Sequence, residues 1–264
     1  MSQALTASDL TALAGLADRM ADAAALVAMR YFHAPSVEIE TKADTSPVTV
    51  ADREAEAAMR TMLRTECPEH GIFGEEHGQD RTDAEFVWVL DPIDGTKSFV
   101  IGKPLFGTLI ALTQNGKPVL GVIDCPALGE RWIGIDGLST TLNKKAVSTR
   151  FCSMMSDVWL ASTSPDMFAD EDKPKFEKLR AGVQHTVWGG DCHSYGLMAA
   201  GTLDMVIEAD MKPYDYMALV PVVNGAGGKI TDWDGKPLDF ESDGRILAAG
   251  DARLHEVAQK LLAG

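Results

Sequence analysis

At 264 residues, 45% of them hydrophobic and 24% charged, the chain has the balance of a soluble globular protein and enough length to bury a large core. Its net charge of −15, with Lys and Arg neither in excess nor clustered, argues against nucleic acid or an anionic membrane surface as the main partner. The four cysteines, Cys67, Cys125, Cys152 and Cys192, are widely spaced with no C-x-x-C pair, so they read as reduced core thiols and not as a zinc or redox motif.

Residues 8–32 place Leu13, Leu16, Met20, Ala24, Val27 and Tyr31 at helical spacing, with Ser8 as the expected cap. Asp18, Arg19 and Asp22 interrupt this stretch, which makes it an amphipathic helix and not an export signal or a membrane span; a cytoplasmic location is expected. A second helix over 51–66 stops at Pro68. Strand signals follow at 86–90, 105–113, 118–124 and 131–135, with Gln114-Asn115-Gly116-Lys117 as a hairpin turn between two of them.

Past residue 150 the rhythm changes. Strands at 158–162, 183–188, 203–208, 229–231 and 246–249 are interleaved with helices at 173–181, 193–200, 214–225 and 252–262. That alternation predicts an α/β layer with a largely parallel sheet. The expected organisation is α/β with an α+β first half: residues 1–145 as helices on an antiparallel sheet, and residues 146–264 as a tightly packed α/β half.

The chemistry concentrates in Asp91-Pro92-Ile93-Asp94-Gly95-Thr96, at the end of the apolar run 86–90. Two carboxylates three residues apart, on a turn set by Pro92 and Gly95, can grip hard cations, and the Gly95 and Thr96 N–H groups suit a phosphate oxygen. A plain strand-ending turn uses the same residue types. Glu75, in Gly74-Glu75-Glu76, is either a further metal-binding carboxylate or a solvated loop charge. Asp52 begins the second helix, where Thr49 at the N-cap and Asp52 at N3 make a capping-box pair; functionally it is a carboxylate that polarises a water or a threonine hydroxyl. Asp215, after Pro213-Tyr214, lies where open α/β sheets bind ligands, or else caps a helix. Gly225-Ala226-Gly227-Gly228 follows a helix and reads as a C-cap and tight turn, not a phosphate cradle. His193 reads as a polar residue at a helix end, no histidine pair has metal-ligand spacing, and neither G-x-S-x-G nor a Walker-type loop occurs.

Taken in order, Lys42, then Ser46-Pro47-Val48-Thr49-Val50-Ala51-Asp52, Gly74-Glu75-Glu76, Asp91-Pro92-Ile93-Asp94-Gly95-Thr96, Pro213-Tyr214-Asp215 and Gly225-Ala226-Gly227-Gly228 resemble the inositol-monophosphatase superfamily of magnesium-dependent, lithium-sensitive phosphatases. The resemblance implies a layered α-β-α-β-α sandwich and commonly a homodimer. It implies that Glu75, Asp91, Asp94 and Asp215, with the carbonyl of Ile93, hold two or three Mg²⁺ ions. Asp52 and Thr96, with Glu75, would activate the attacking water, and Gly95 and Thr96 would hold the phosphoryl oxygens. All-oxygen ligation suits Mg²⁺, and bound cations would let so acidic a chain hold a phosphate ester.

Thr96-Lys97-Ser98-Phe99, Trp188-Gly189-Gly190-Asp191-Cys192 and the run Pro213 to Pro221 look like the histidinol-phosphate phosphatase branch. Asp191 and Glu208 then fall on the substrate side of the cleft, with Lys42 as a further substrate contact. Paired carboxylates favour a substrate bearing an ammonium and an imidazole over a neutral polyol. Asp191 as a helix N-cap is the competing reading. The alternatives to histidinol phosphate, and so to a place in histidine biosynthesis, are inositol 1-phosphate or a broad range of sugar phosphates. A partner-binding scaffold is the alternative from outside enzymology, disfavoured because every expected carboxylate is present.

Overall fold

The computed structural model describes residues 6–34, 39–41, 47–169 and 171–263; Lys42 and Ser46 lie outside them. In chain order the first half comprises α1 (Ala7–Tyr31), β1 (Ile39–Thr41), β2 (Pro47–Thr49), α2 (Val50–Glu66), β3 (Gly71–Gly74), β4 (Gly78–Asp80), β5 (Phe86–Asp94), α3 (Thr96–Val100), β6 (Gly107–Gln114), β7 (Lys117–Cys125), β8 (Glu130–Ile135), β9 (Thr141–Leu142) and β10 (Lys145–Ala146). The second half adds β11 (Trp159–Ser162), α4 (Lys173–Arg180), β12 (His185–Trp188), α5 (Asp191–Ala199), β13 (Met205–Glu208), α6 (Pro213–Tyr216), α7 (Leu219–Gly225), β14 (Lys229–Asp232), β15 (Ile246–Ala249) and α8 (Ala252–Leu262).

Strand side chains alternate between faces, and this period sorts the core into layers. Trp88, Leu90, Ile110, Leu112, Leu120 and Val122 bury against Met20, Ala24, Met59 and Leu63 of α1 and α2. Their neighbours Val89, Leu109, Ala111 and Ile123 face the other way, onto Tyr195 of α5 and Val222 of α7. The second sheet closes the same cluster from beyond, through Ala161, Val206, Ile246 and Ala248. Its opposite face, Leu160, Met205, Ile207 and Leu247, rests on Phe176 of α4 and Leu254 of α8. The result is α-β-α-β-α, as expected from the sequence.

Several local expectations are corrected. Thr6, not Ser8, caps α1, in a capping box with Asp9, and Ser8 lies inside the helix. The eight-stranded sheet, in the order β10-β9-β8-β7-β6-β5-β3-β4, is antiparallel except where β3 runs parallel to β5. The five-stranded sheet, β12-β11-β13-β15-β14, is only half parallel. Parallel ladders join β11 to β12 and β13, while β13–β15 and β14–β15 are antiparallel, since no crossover helix separates β14 from β15. The single helix expected over 214–225 is two helices, α6 and α7. Pro221 has no N–H to give the Met217 carbonyl, so the chain cannot run through as one ladder. After α7, Gly227 and Gly228 donate back to Asn224 and Val223 carbonyls at 3.0 Å, the expected helix-ending turn. Asn115 and Gly116 take positive φ of 50° and 80° at the expected hairpin.

Candidate active site

Four segments distant in sequence deliver acids to one place. β5 does not end in a turn at Pro92, as the sequence suggested; it continues to Asp94, and its ladder with β6 is interrupted between Asp91 and Asp94. Pro92 offers no donor there, and Asp91 Oδ1 accepts the Ile93 N–H at 3.0 Å, so the motif bulges and sends both carboxylates to the same side. α6 brings Asp215, whose Oδ2 accepts the Lys212 N–H at 2.6 Å. One oxygen each from Asp91, Asp94 and Asp215 lies within 4.8 Å of the others. Glu75, just past β3, stands outside that trio but lines the same cavity of about 220 Å³, with Ile93, Gly95, Thr96, Lys97 and Asp191.

Burial, then repulsion by Glu75, Asp94 and Asp215, pushes the Asp91 carboxyl well above the usual range. Burial, with Asp191 and Asp215 next, does the same to Asp94 against the Cys192 N–H that favours its charge. Asp215 is raised to about 7, chiefly by burial, with the Lys212 N–H opposing and Glu75 and Glu208 adding repulsion. Acids so crowded cannot all ionise unless cations join them. An oxygen-only donor set of this charge fits a hard divalent cation such as Mg²⁺.

Asp52, in the first turn of α2, lies behind Thr96, which lines the cavity. It is buried, and its Oδ2 accepts the Thr49 N–H at 2.8 Å and the Thr49 hydroxyl at 2.6 Å. The capping box is therefore present, and a contact with Thr96 coexists with it: Thr96 Oγ1 lies 3.4 Å from Asp52 Oδ1 and 3.1 Å from the Ile93 carbonyl. Burial foremost, with Glu75 contributing, raises the Asp52 pKa and makes it a better proton acceptor. Gly95 turns the chain with φ of 81° and opens α3, whose first N–H groups have no acceptor within the helix.

A second cavity of about 180 Å³ adjoins the first, sharing Asp94, Thr163, Asp191 and Asp215, and is completed by Tyr195, Glu208 and Met211 among others. Asp191 and Glu208 thus do come together beside the carboxylate cluster. Asp191 is not the N-cap of α5, a place taken by Gly190; it is the first residue of the helix. Burial foremost raises its pKa, while Ser98, Lys103 and Lys97 oppose. Glu208 is raised to about 7 by burial, although Thr163 N–H (3.0 Å), Thr163 Oγ1 (2.5 Å) and Tyr195 Oη (2.9 Å) all donate to it. His193 is structural: its Nε2 lies 2.9 Å from Glu130 and its ring meets Trp132 edge-on.

The sequence reading missed Glu56, Thr163, Tyr195 and Ser98. Glu56 is wholly buried and sits one turn after Asp52 on the face of α2 that also carries Ala55, Met59 and Leu63. It accepts from Arg60 Nε (2.6 Å), Glu76 N–H (2.7 Å) and His77 N–H (3.2 Å), which ties down the loop bearing Glu75. A Cβ on Gly74 would stand 2.1 Å from Glu56 Oε1, so a side chain there would displace the Glu56 carboxylate from its partners. The available signal was an acid four residues after Asp52, on an otherwise apolar stripe.

A crowded cluster of carboxylates beside the start of a short helix, in a five-layer α-β-α-β-α sandwich, is an arrangement suited to metal-dependent phosphoryl transfer. Residues 9–263 match the inositol monophosphatase family, and the chain belongs to it. It is 46% identical to the chloroplastic bifunctional phosphatase IMPL2 of Arabidopsis thaliana, over 98% of this chain and 77% of that one. With a histidinol-phosphatase from Mycobacterium tuberculosis it shares 36% identity over 97% of this chain and 98% of the other. A solved structure of an inositol monophosphatase from Zymomonas mobilis is 46% identical and superposes with a TM-score of 0.88, covering 98% of this chain and 100% of that one. The protein is thus a phosphatase and hydrolase of this family. Among the described residues no helix is long and apolar enough to cross a membrane.

Proposed function

We propose that the protein hydrolyses histidinol phosphate, a phosphate monoester whose alcohol carries an ammonium and an imidazole. The observation that carries this reading is the placement of Asp191 and Glu208 on a cavity that also opens onto Asp94 and Asp215. A cationic group there meets the buried Glu208 and the half-buried Asp191 carboxylates, whereas a neutral polyol leaves their charge unmatched. The similarity to the histidinol-phosphatase from Mycobacterium tuberculosis supports it.

Asp91, Asp94 and Asp215, with Glu75 and the Ile93 carbonyl, would hold two or three Mg²⁺ ions. When bound, such ions neutralise the phosphoryl group, lower the pKa of water and steady the leaving oxygen. The chain's own part is positioning and proton handling. The Thr96 hydroxyl, between Asp52 Oδ1 and the Ile93 carbonyl, orients the attacking water, and Asp52 receives its proton. The N–H groups of Gly95 and Thr96, at the start of α3, hold non-bridging phosphoryl oxygens as charge builds. Asp191 and Glu208 fix the alcohol part, so that the ester bond faces the water. A homodimer is the expected assembly, to be read from light scattering.

One observation favours a second reading, inositol 1-phosphate. Glu208 already accepts three hydrogen bonds, which reduces its capacity for an ammonium. Phosphate release with Mg²⁺ from histidinol phosphate, both inositol 1-phosphate enantiomers and fructose bisphosphate separates the two. A preference of ~100-fold in kcat/KM for histidinol phosphate, worth about 2.7 kcal/mol of transition-state discrimination, is expected. A flat profile refutes the assignment and leaves the phosphatase chemistry standing.

A further inference from the structure

Asp191 opens a helix without capping it. The N–H of Cys192, the second residue of α5, donates to Asp94 Oδ2 at 2.7 Å. The Asp191 carboxylate is turned elsewhere and accepts from Ser98 Oγ at 3.0 Å through Oδ2. An aspartate at a helix start ordinarily takes such N–H groups itself. Here it also stands in the left-handed region, with φ of 44°, which an aspartate tolerates better than most side chains but adopts far less often than glycine. Something beyond local preference holds it there.

The segment after the Asp91–Thr96 motif supplies the restraint. The Lys103 ammonium donates to the Gly189 carbonyl, fixing the turn that precedes Asp191. Gly95 sets the near wall, because a Cβ there would stand 3.0 Å from both Cγ and Oδ2 of Asp191. Ser98 makes the side-chain hydrogen bond to the carboxylate. It is itself buried on α3, next to Phe99, whose ring packs edge-on against Phe106. The hydroxyl therefore projects from a fixed support. Asp191 lines both cavities, while Ser98 lines neither.

We propose that Ser98 is a positioning residue: its hydroxyl holds the Asp191 carboxylate in the substrate cavity and thereby sets the preference for a cationic ester over a neutral one. The inference rests on the assignment of Asp191 to the substrate's cationic group. Ser98 acts through Asp191, so its removal shows in the binding of the alcohol part and not in the phosphoryl chemistry.

The test compares the parent, Ser98→Ala, Asp191→Ala and the double variant, all with Mg²⁺, on histidinol phosphate and on inositol 1-phosphate. Ser98→Ala is expected to raise KM for histidinol phosphate about 10-fold, with kcat within about twofold, since a hydrogen bond to a charged group is lost. Inositol 1-phosphate hydrolysis stays within about twofold of the parent, and in the Asp191→Ala background Ser98→Ala adds less than about twofold. An equal fall in kcat on both esters, or a full further loss in the Asp191→Ala background, overturns the positioning role. If Asp191→Ala removes the preference and Ser98→Ala leaves it intact, the positioning role fails while the substrate reading survives. An Asp191→Ala enzyme that keeps its preference refutes the substrate reading instead.

Discussion

Removing Glu56 should unfasten the Glu75 loop. The side chain touches neither the cavity nor the acid trio, yet it is the shared acceptor for Arg60, Glu76 and His77. Arg60 is 4% exposed, and its other contact is the Gly78 carbonyl. In Glu56→Ala the guanidinium stays buried without its carboxylate, which costs about 3–5 kcal/mol. Two loop N–H groups also lose their acceptor, at ~1 kcal/mol each, offset in part by water entering the space. A net loss of about 4 kcal/mol follows, and at 2–4 °C per kcal/mol for a protein of this size the melting temperature should drop by about 10 °C.

The functional consequence is separable from the thermal one. A loosened loop lets Glu75 drift from Asp91, so the Mg²⁺ concentration needed for half-maximal phosphate release should rise about 10-fold. Calorimetry in chelator reads the first effect, and a Mg²⁺ titration of phosphate release well below the melting temperature reads the second. A melting temperature within about 2 °C of the parent, with an unchanged Mg²⁺ response, refutes the argument that Glu56 anchors the loop.

Asp94→Asn should cut turnover by roughly three orders of magnitude, about 4 kcal/mol of transition-state stabilisation. In chelator the same variant should melt above the parent, because one of three crowded acids, each raised in pKa by burial and by its neighbours, is gone while the amide oxygen still accepts the Cys192 N–H; a lower melting temperature counts against the repulsion described for the site. Adding Mg²⁺ to the chelated parent should raise its melting temperature by mass action, and Asp94→Asn should show a smaller rise in a paired thermal scan. His255 is wholly buried beside Thr231, and burial lowers its pKa from 6.5 to about 4. Between those values the unfolded chain binds a proton that the folded chain refuses, so stability falls as pH drops through the window, by about 3 kcal/mol. Urea unfolding at several pH values should show a shallower decline in His255→Gln, and identical slopes would discount the histidine.

Much of the layer order was legible because strand and helix periods are strong signals. Trp88 and Leu90 part from Val89, and Leu160 parts from Ala161, by alternation alone. The misses were short or strained pieces. β3, Gly-Ile-Phe-Gly, has only two strand-favouring residues between glycines, and β4, Gly-Gln-Asp, has none; β3 forms because β5 is there to pair with it. The expected helix over 214–225 hid its break because Pro221 also suits the first turn of a new helix. Thr163 and Tyr195 could not be found from sequence, since each matters only through Glu208, 45 and 13 residues away.

Cap and ligand were posed as competing readings for the site aspartates, and the structure shows why that opposition fails. Asp52 gives Oδ2 to the Thr49 N–H and Oδ1 to Thr96. Asp94 gives Oδ2 to the Cys192 N–H at the start of α5, and Asp215 gives Oδ2 to the Lys212 N–H at the start of α6. Asp91 gives Oδ1 to the Ile93 N–H at the bulge. Each carboxylate has two oxygens, and one backbone bond at 2.6–3.0 Å leaves lone pairs for a cation or a proton. The backbone bond fixes the rotamer and offsets part of the cost of burying like charges together. An aspartate is suited to the site because it can cap: the helix start that orders the backbone also aims the free oxygen. Crowding alone would splay these acids apart, and the bonds to backbone N–H groups hold them together.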